Sequence, residues 1–168
     1  GVGWLEEEFN SLGIPFDDRG PRTDDYVAAM RALWSQECAT YEGEFASFRN
    51  VYCLPRPPSG SLPVIVGGDT KAAARRAGRL GDGYFPARGN PTELYDEMRR
   101  AAEAAGRDPE AVEITAAAPY DAAEIDGLAK QGVDRLMVPV SGAAGLPPLV
   151  KNPDEVLRYG KEVIDRYR

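Results

Sequence analysis

The chain has 168 residues, with 20 basic and 27 acidic side chains for a net charge of −7, and no histidine. The length suits one domain with a real core, and the acidic balance argues against a nucleic-acid surface. The missing imidazoles remove Ser-His-Asp triads, histidine metal sites and a histidine general base.

A metal site would have to be built from carboxylates alone, and no spacing proposes one. No apolar run approaches the ~20 residues of a membrane span, and no charged-then-apolar leader opens the sequence, so a cytoplasmic protein is expected. Cys38 and Cys53 form no disulfide framework and fit a reducing compartment as small, partly buried thiols. The chain opens on Gly1 rather than Met, which suggests a processed, cleaved or excised piece.

Residues 1–16 read as a strand end and a loop, with Glu6, Glu7 and Glu8 in the middle. Thr23 followed by Asp24 and Asp25 predicts a helix start, a capping hydroxyl ahead of acids that complement the helix dipole. Tyr26, Val27, Met30, Leu33 and Trp34 then recur at three- and four-residue steps as one apolar stripe. The stretch "TYEGEFASFRNVYCLPRPP" places aromatics near alternate positions around Glu42 and Gly43, which predicts a hairpin. Proline-rich residues 55–63 end it.

From there strands and helices alternate. Residues 64–66 predict a strand, 70–80 a helix stopped by Gly81, and 83–85 the next strand. Asn90, Pro91, Thr92 and Glu93 supply a cap, a first-turn proline and an acid for a helix ending at Gly106. A strand over 112–117, a helix over 121–131 closed by Gly132, and a strand over 136–138 follow. Asn152, Pro153 and Asp154 open a last helix running to Tyr167. Short apolar strands separated by helices imply a parallel sheet covered by helices, with right-handed connections. The fold class is α/β. Four clean strand–helix units match a doubly wound, flavodoxin-like sheet better than a (β/α) barrel, which needs eight strands and typically ~250 residues.

The stretch "PVIVGGDTKAAARRAGRLGDGYFPA" joins a strand, a double glycine, a helix and a second strand. Gly67 and Gly68 permit positive φ and close approach of the backbone to a ligand. The helix that begins immediately afterwards offers unpaired N–H groups and a partial positive charge to an anion. A tight strand-to-helix turn explains the same residues without any ligand.

Six motifs in order bear on that choice: "GVGW" ahead of the acidic run, then "RGPRTDDYVAAMRALW", "YEGEFASF", "PVIVGG", "RLGDGYFP" and "AGRDP". Together they resemble the luciferase-like monooxygenase superfamily, and are most similar to its bacterial branch that uses coenzyme F420. The resemblance implies a (β/α)8 barrel that binds a flavin or deazaflavin at the C-terminal ends of its strands. It places residues 1–4 at the end of the fourth strand, and Val64, Tyr84, Ile114 and Met137 on strands five to eight. The chain would then be a single domain, the C-terminal half of a TIM-type barrel. Residues 1–62 would form a helix and hairpin region, and 63–168 four βα units. The family's early-strand acid–base residues, often including a histidine, would lie outside this sequence, so no catalytic residue is assigned and this chain alone is expected to be inactive.

The resemblance also implies a site. The cofactor's phosphate-bearing tail would be held at Gly67, Gly68, Asp69, Thr70 and Lys71. Glu7 is a candidate polar contact to the ring or ribityl region, although a solvated acidic helix start accounts for it equally. Arg88 is a candidate for an anionic substrate or cofactor tail. Ser141 and Gly142 are candidates for phosphate, which barrels often bind after strands seven and eight. Trp4, Trp34 and Tyr84 are expected in the core. The function implied is hydride transfer or monooxygenation of a small organic substrate with coenzyme F420, or alternatively FMN. The alternative is a non-catalytic half-barrel that binds a phosphate-bearing ligand or self-associates. Partners expected are a small-molecule substrate and either a second copy or the missing N-terminal half, with no nucleic acid and no membrane.

Overall fold

The computed structural model describes residues 1–86, 91–140 and 148–167. The chain divides into two compact units, Gly1–Val64 and Ile65–Arg168. In the first unit, α1 (Glu6–Ser11) and α2 (Arg19–Ser35) precede a hairpin of β1 (Ala39–Glu42) and β2 (Ser47–Val51), paired antiparallel. The hairpin expected around Glu42 and Gly43 is present.

Three expectations for this unit are corrected. Residues 1–5 form no ladder, so the strand end expected at 1–4 is not a strand, because a strand exists only by pairing with another. Trp4, carried on that segment, is 83% exposed rather than core. The second helix starts at Arg19, four residues before Thr23. Pro21 is tolerated in that first turn, where backbone N–H groups lack helical partners in any case. Thr23 lies inside the helix and donates its hydroxyl to the Arg19 carbonyl at 2.7 Å. Of the apolar stripe on α2 only Val27 is fully buried, while Tyr26 and Met30 are exposed.

The second unit alternates β3 (Ile65–Gly67), α3 (Lys71–Leu80), β4 (Gly83–Phe85), α4 (Pro91–Ala104), β5 (Glu113–Ala117), α5 (Ala122–Lys130), β6 (Arg135–Met137) and α6 (Pro153–Glu162). Side-chain caps set its helix starts. The Thr70 hydroxyl accepts from Ala73 N, the Asp121 carboxylate from Ala123 N and Glu124 N, and the Asn152 amide oxygen from Glu155 N. All strand pairs are parallel, and the order is β3-β4-β5-β6.

That order corrects the count that favoured a doubly wound sheet. A doubly wound sheet reverses its strand order at a switch point, whereas here each strand lies beside its predecessor. Consecutive right-handed crossovers without reversal put every helix on the same face, as in the wall of a barrel. Burial agrees. Val66, Tyr84 and Ile114 lie level in neighbouring strands and pack into one cluster with Ala74 and Ala77 of α3 and Leu94 and Met98 of α4. Leu136 and Val138 pack with Tyr159 and Val163 in a second. Alternation sends Ile65, Phe85, Thr115 and Met137 to the opposite face, where Arg135 bridges to Glu113 at 2.7 Å.

Candidate functional site

In parallel α/β sheets ligands bind beyond the C-terminal strand ends, so those ends define the region of interest. At the end of β3 the chain turns at a glycine. Gly68 has φ +136°, a conformation that side-chain-bearing residues rarely adopt, and a Cβ built there would lie 3.0 Å from the Ala73 Cβ. The Gly68 N–H donates to the Phe85 carbonyl at 3.2 Å, continuing the β3–β4 pairing one residue beyond the strand. The Tyr84 hydroxyl donates to the Gly68 carbonyl at 2.9 Å.

Asp69 follows, exposed, and then Thr70, which caps α3 with its hydroxyl oxygen 3.2 Å from Ala73 N. Lys71 is the first helical residue, and its ammonium pairs with Glu93 of α4 at 2.5 Å. Gly67, Gly68, Asp69, Thr70 and Lys71 therefore form one continuous turn into a helix N-terminus. An anion there meets backbone amides and a lysine already shared with a carboxylate.

Glu7 sits in the first turn of α1, exposed, in the unit separate from that turn. With Glu6 and Glu8 it complements the positive end of the α1 dipole. Arg88, Ser141 and Gly142 lie outside the described residues. At the end of β5 the chain passes through Ala118 and Pro119 to Asp121, whose carboxylate is engaged in capping α5.

A cavity of about 420 Å³ lies elsewhere, between α5, β6 and the C-terminal helices. Its walls include Ile125, Leu128, Leu136, Val138 and Val163, while the Asp134 carboxylate at its edge accepts from Ile114 N at 2.8 Å. An apolar space on the helix-covered side offers nothing to a phosphate, whatever its size.

Sequence reasoning placed Tyr84 in the core, which is right, and missed its hydroxyl contact to the glycine turn. The signal was the tyrosine itself, since a fully buried strand position that needs only an aromatic ring accepts phenylalanine. The Lys71–Glu93 pair had no local signal, because the two residues lie on different helices.

A model of the luciferase-like monooxygenase family matches residues 1–162. The chain belongs to that family. Among its relatives is the FMNH(2)-dependent dimethylsulfone monooxygenase of Pseudomonas fluorescens, 34% identical over 109 residues, 61% of this chain and 29% of the relative. This luciferase-like chain thus spans less than a third of that enzyme's length. The coenzyme F420 dependent tetrahydromethanopterin reductase of Methanopyrus kandleri superposes with a TM-score of 0.71 over 98% of this chain and 72% of the reductase. At 13% identity that likeness is one of fold. Monooxygenase RslO1 from Streptomyces bottropensis is 26% identical, with a TM-score of 0.54 over 98% of this chain and 48% of its own. The proteins it resembles thus include an FMNH(2)-dependent relative by sequence and an F420-dependent enzyme by fold. No helix among the described residues is long and apolar enough to cross a membrane.

Proposed function

We propose that this chain supplies the phosphate-holding part of the cofactor site in a flavin- or deazaflavin-dependent oxidoreductase, with coenzyme F420 as the cofactor and FMN as the alternative. One observation carries the reading: a glycine at φ +136° ends a parallel strand and leads directly into a capped helix. The backbone there can approach an anion closely, and the amides of the first helical turn face it with a partial positive charge. Thr70 and Lys71 stand at the same point, and the FMNH(2)-dependent relative supports a phosphate-bearing cofactor as the ligand.

When bound, the cofactor supplies the redox chemistry towards a small organic substrate. The residues of this chain bind and orient its tail. An ammonium has three donors, so Lys71 can contribute while paired with Glu93, beside the backbone amides.

Gly68→Val tests the assignment. Its side chain would be strained at this φ and would crowd Ala73, removing one or more charge-assisted hydrogen bonds of ~1.5–3 kcal/mol each. The dissociation constants for coenzyme F420 and FMN, followed by fluorescence titration, should rise at least roughly tenfold. Unchanged constants in a variant with the wild-type circular dichroism spectrum would remove the site from this turn. The second reading, a non-catalytic half-barrel that self-associates, is favoured by Ile65, 40% exposed on the sheet face away from the helices.

A further inference from the structure

Tyr84 stands in the middle of the sheet, level with Val66 in β3 and Ile114 in β5, and none of it reaches solvent. Its ring packs edge-on against Tyr95 of α4, with centroids 6.4 Å apart and planes at 88°. A phenylalanine would pack in the same way, so the hydroxyl is what sets this residue apart. It donates to the Gly68 carbonyl at 2.9 Å, while the Gly68 N–H donates to the Phe85 carbonyl. Both backbone polar groups of Gly68 are thus held by β4, one through its main chain and one through a side chain.

A trans peptide is planar, so a carbonyl and the amide that follows it point in opposite directions. With the Gly68 carbonyl drawn towards a buried hydroxyl, the Asp69 N–H is directed away from the core. Glycine has the torsional freedom to let this peptide turn over, so its orientation depends on what holds the carbonyl.

We infer that Tyr84 is a positioning residue of the cofactor turn, its hydroxyl locking the Gly68–Asp69 peptide with the amide directed out of the core. The functional consequence rests on the cofactor reading of the turn given above. Burial, then the negative charge of Asp69, then Tyr95 hold the Tyr84 phenol well above its ordinary pKa, so it remains a donor across the working pH range.

Two conservative variants isolate the hydroxyl. Tyr84→Phe keeps the ring and removes the donor. Tyr95→Phe removes a buried hydroxyl that has no hydrogen-bond partner among the described residues, and serves as the control. In isotope-labelled protein, Tyr84→Phe should move the Gly68 carbonyl and Asp69 amide resonances and weaken FMN and coenzyme F420 binding about tenfold. Tyr95→Phe should do neither. The inference is overturned if those resonances stay in place in Tyr84→Phe, or if they move while both affinities match the wild type. Should the wild type bind neither cofactor, the cofactor reading falls, and the resonance comparison still decides whether Tyr84 sets the peptide.

Discussion

The Asp25 carboxylate accepts three hydrogen bonds within the first unit. Tyr41 Oη donates to one oxygen at 2.5 Å, and the Phe45 and Ala46 amides donate to the other at 2.8 Å each. A residue expected to complement a helix dipole instead fastens the hairpin turn to α2. The Tyr41 hydroxyl first, then the backbone amides, hold its pKa below the usual carboxylate range. A carboxylate with a depressed folded-state pKa adds stability that is complete above its unfolded value of about 3.9 and is lost as pH falls through the folded value. Urea unfolding between pH 7 and pH 2.5, read by tyrosine fluorescence, should therefore show a loss of hairpin stability at the acid end. Asp25→Asn should lower stability at pH 7 and flatten that dependence. An unaltered acid limb in the variant would mean that other carboxylates carry it.

Packing of α3 against α4 depends on one small residue and one cap. A Cβ at Gly78 would run into the Met98 carbonyl and come within 2.7 Å of Ala102 N, so the two helix backbones meet there closely enough to exclude any side chain. Arg107, in the loop after α4, donates to the carbonyls of Gly78 at 2.5 Å and Gly81 at 2.7 Å, satisfying acceptors that the end of α3 leaves without helical partners. Gly78→Ala is expected to cost about 1–3 kcal/mol through overpacking. Each kcal/mol corresponds to a fall in Tm of roughly 2–4 °C for a chain of this size. Arg107→Ala should cost a similar amount by leaving buried carbonyls unpaired. A differential scanning calorimetry trace unchanged in Gly78→Ala would mean that the helices separate at little cost.

Across the second unit, sequential parallel strands leave β3 and β6 as the outer strands of the sheet, each with one sheet neighbour among the described residues. Outer strands carry backbone groups that can pair with another chain, and apolar faces of several hundred Å² are normally covered. Val66, Ile114, Leu136 and Val138 pack towards the helices. The opposite face carries Ile65, Phe85 and Met137 together with the Glu113–Arg135 bridge. That face is the expected contact for a second copy, with twofold symmetry the default. Light scattering over a tenfold dilution should show a concentration-dependent mass, and a constant monomer mass with no dye-accessible apolar surface would refute this.

Local chemistry made the elements legible. Thr70, Asp121 and Asn152 cap the helices they were expected to open, and the strand at Gly83–Phe85 falls where its glycine-bounded apolar run predicted. Caps, prolines and two-residue alternation act over a few residues, so their signals are contained in the sequence around them. The double glycine was legible for the same reason, since only glycine suits the backbone at Gly68. The order of motifs revealed the family where counting strands had pointed to a different sheet. Only the tertiary structure decided the strand order, which face of the sheet the helices cover, and the partners of Asp25 and Tyr84. Those contacts join residues 16 to 21 positions apart. Each partner is a backbone group or a hydroxyl that looks locally like any other, and folding alone brings them within hydrogen-bonding reach.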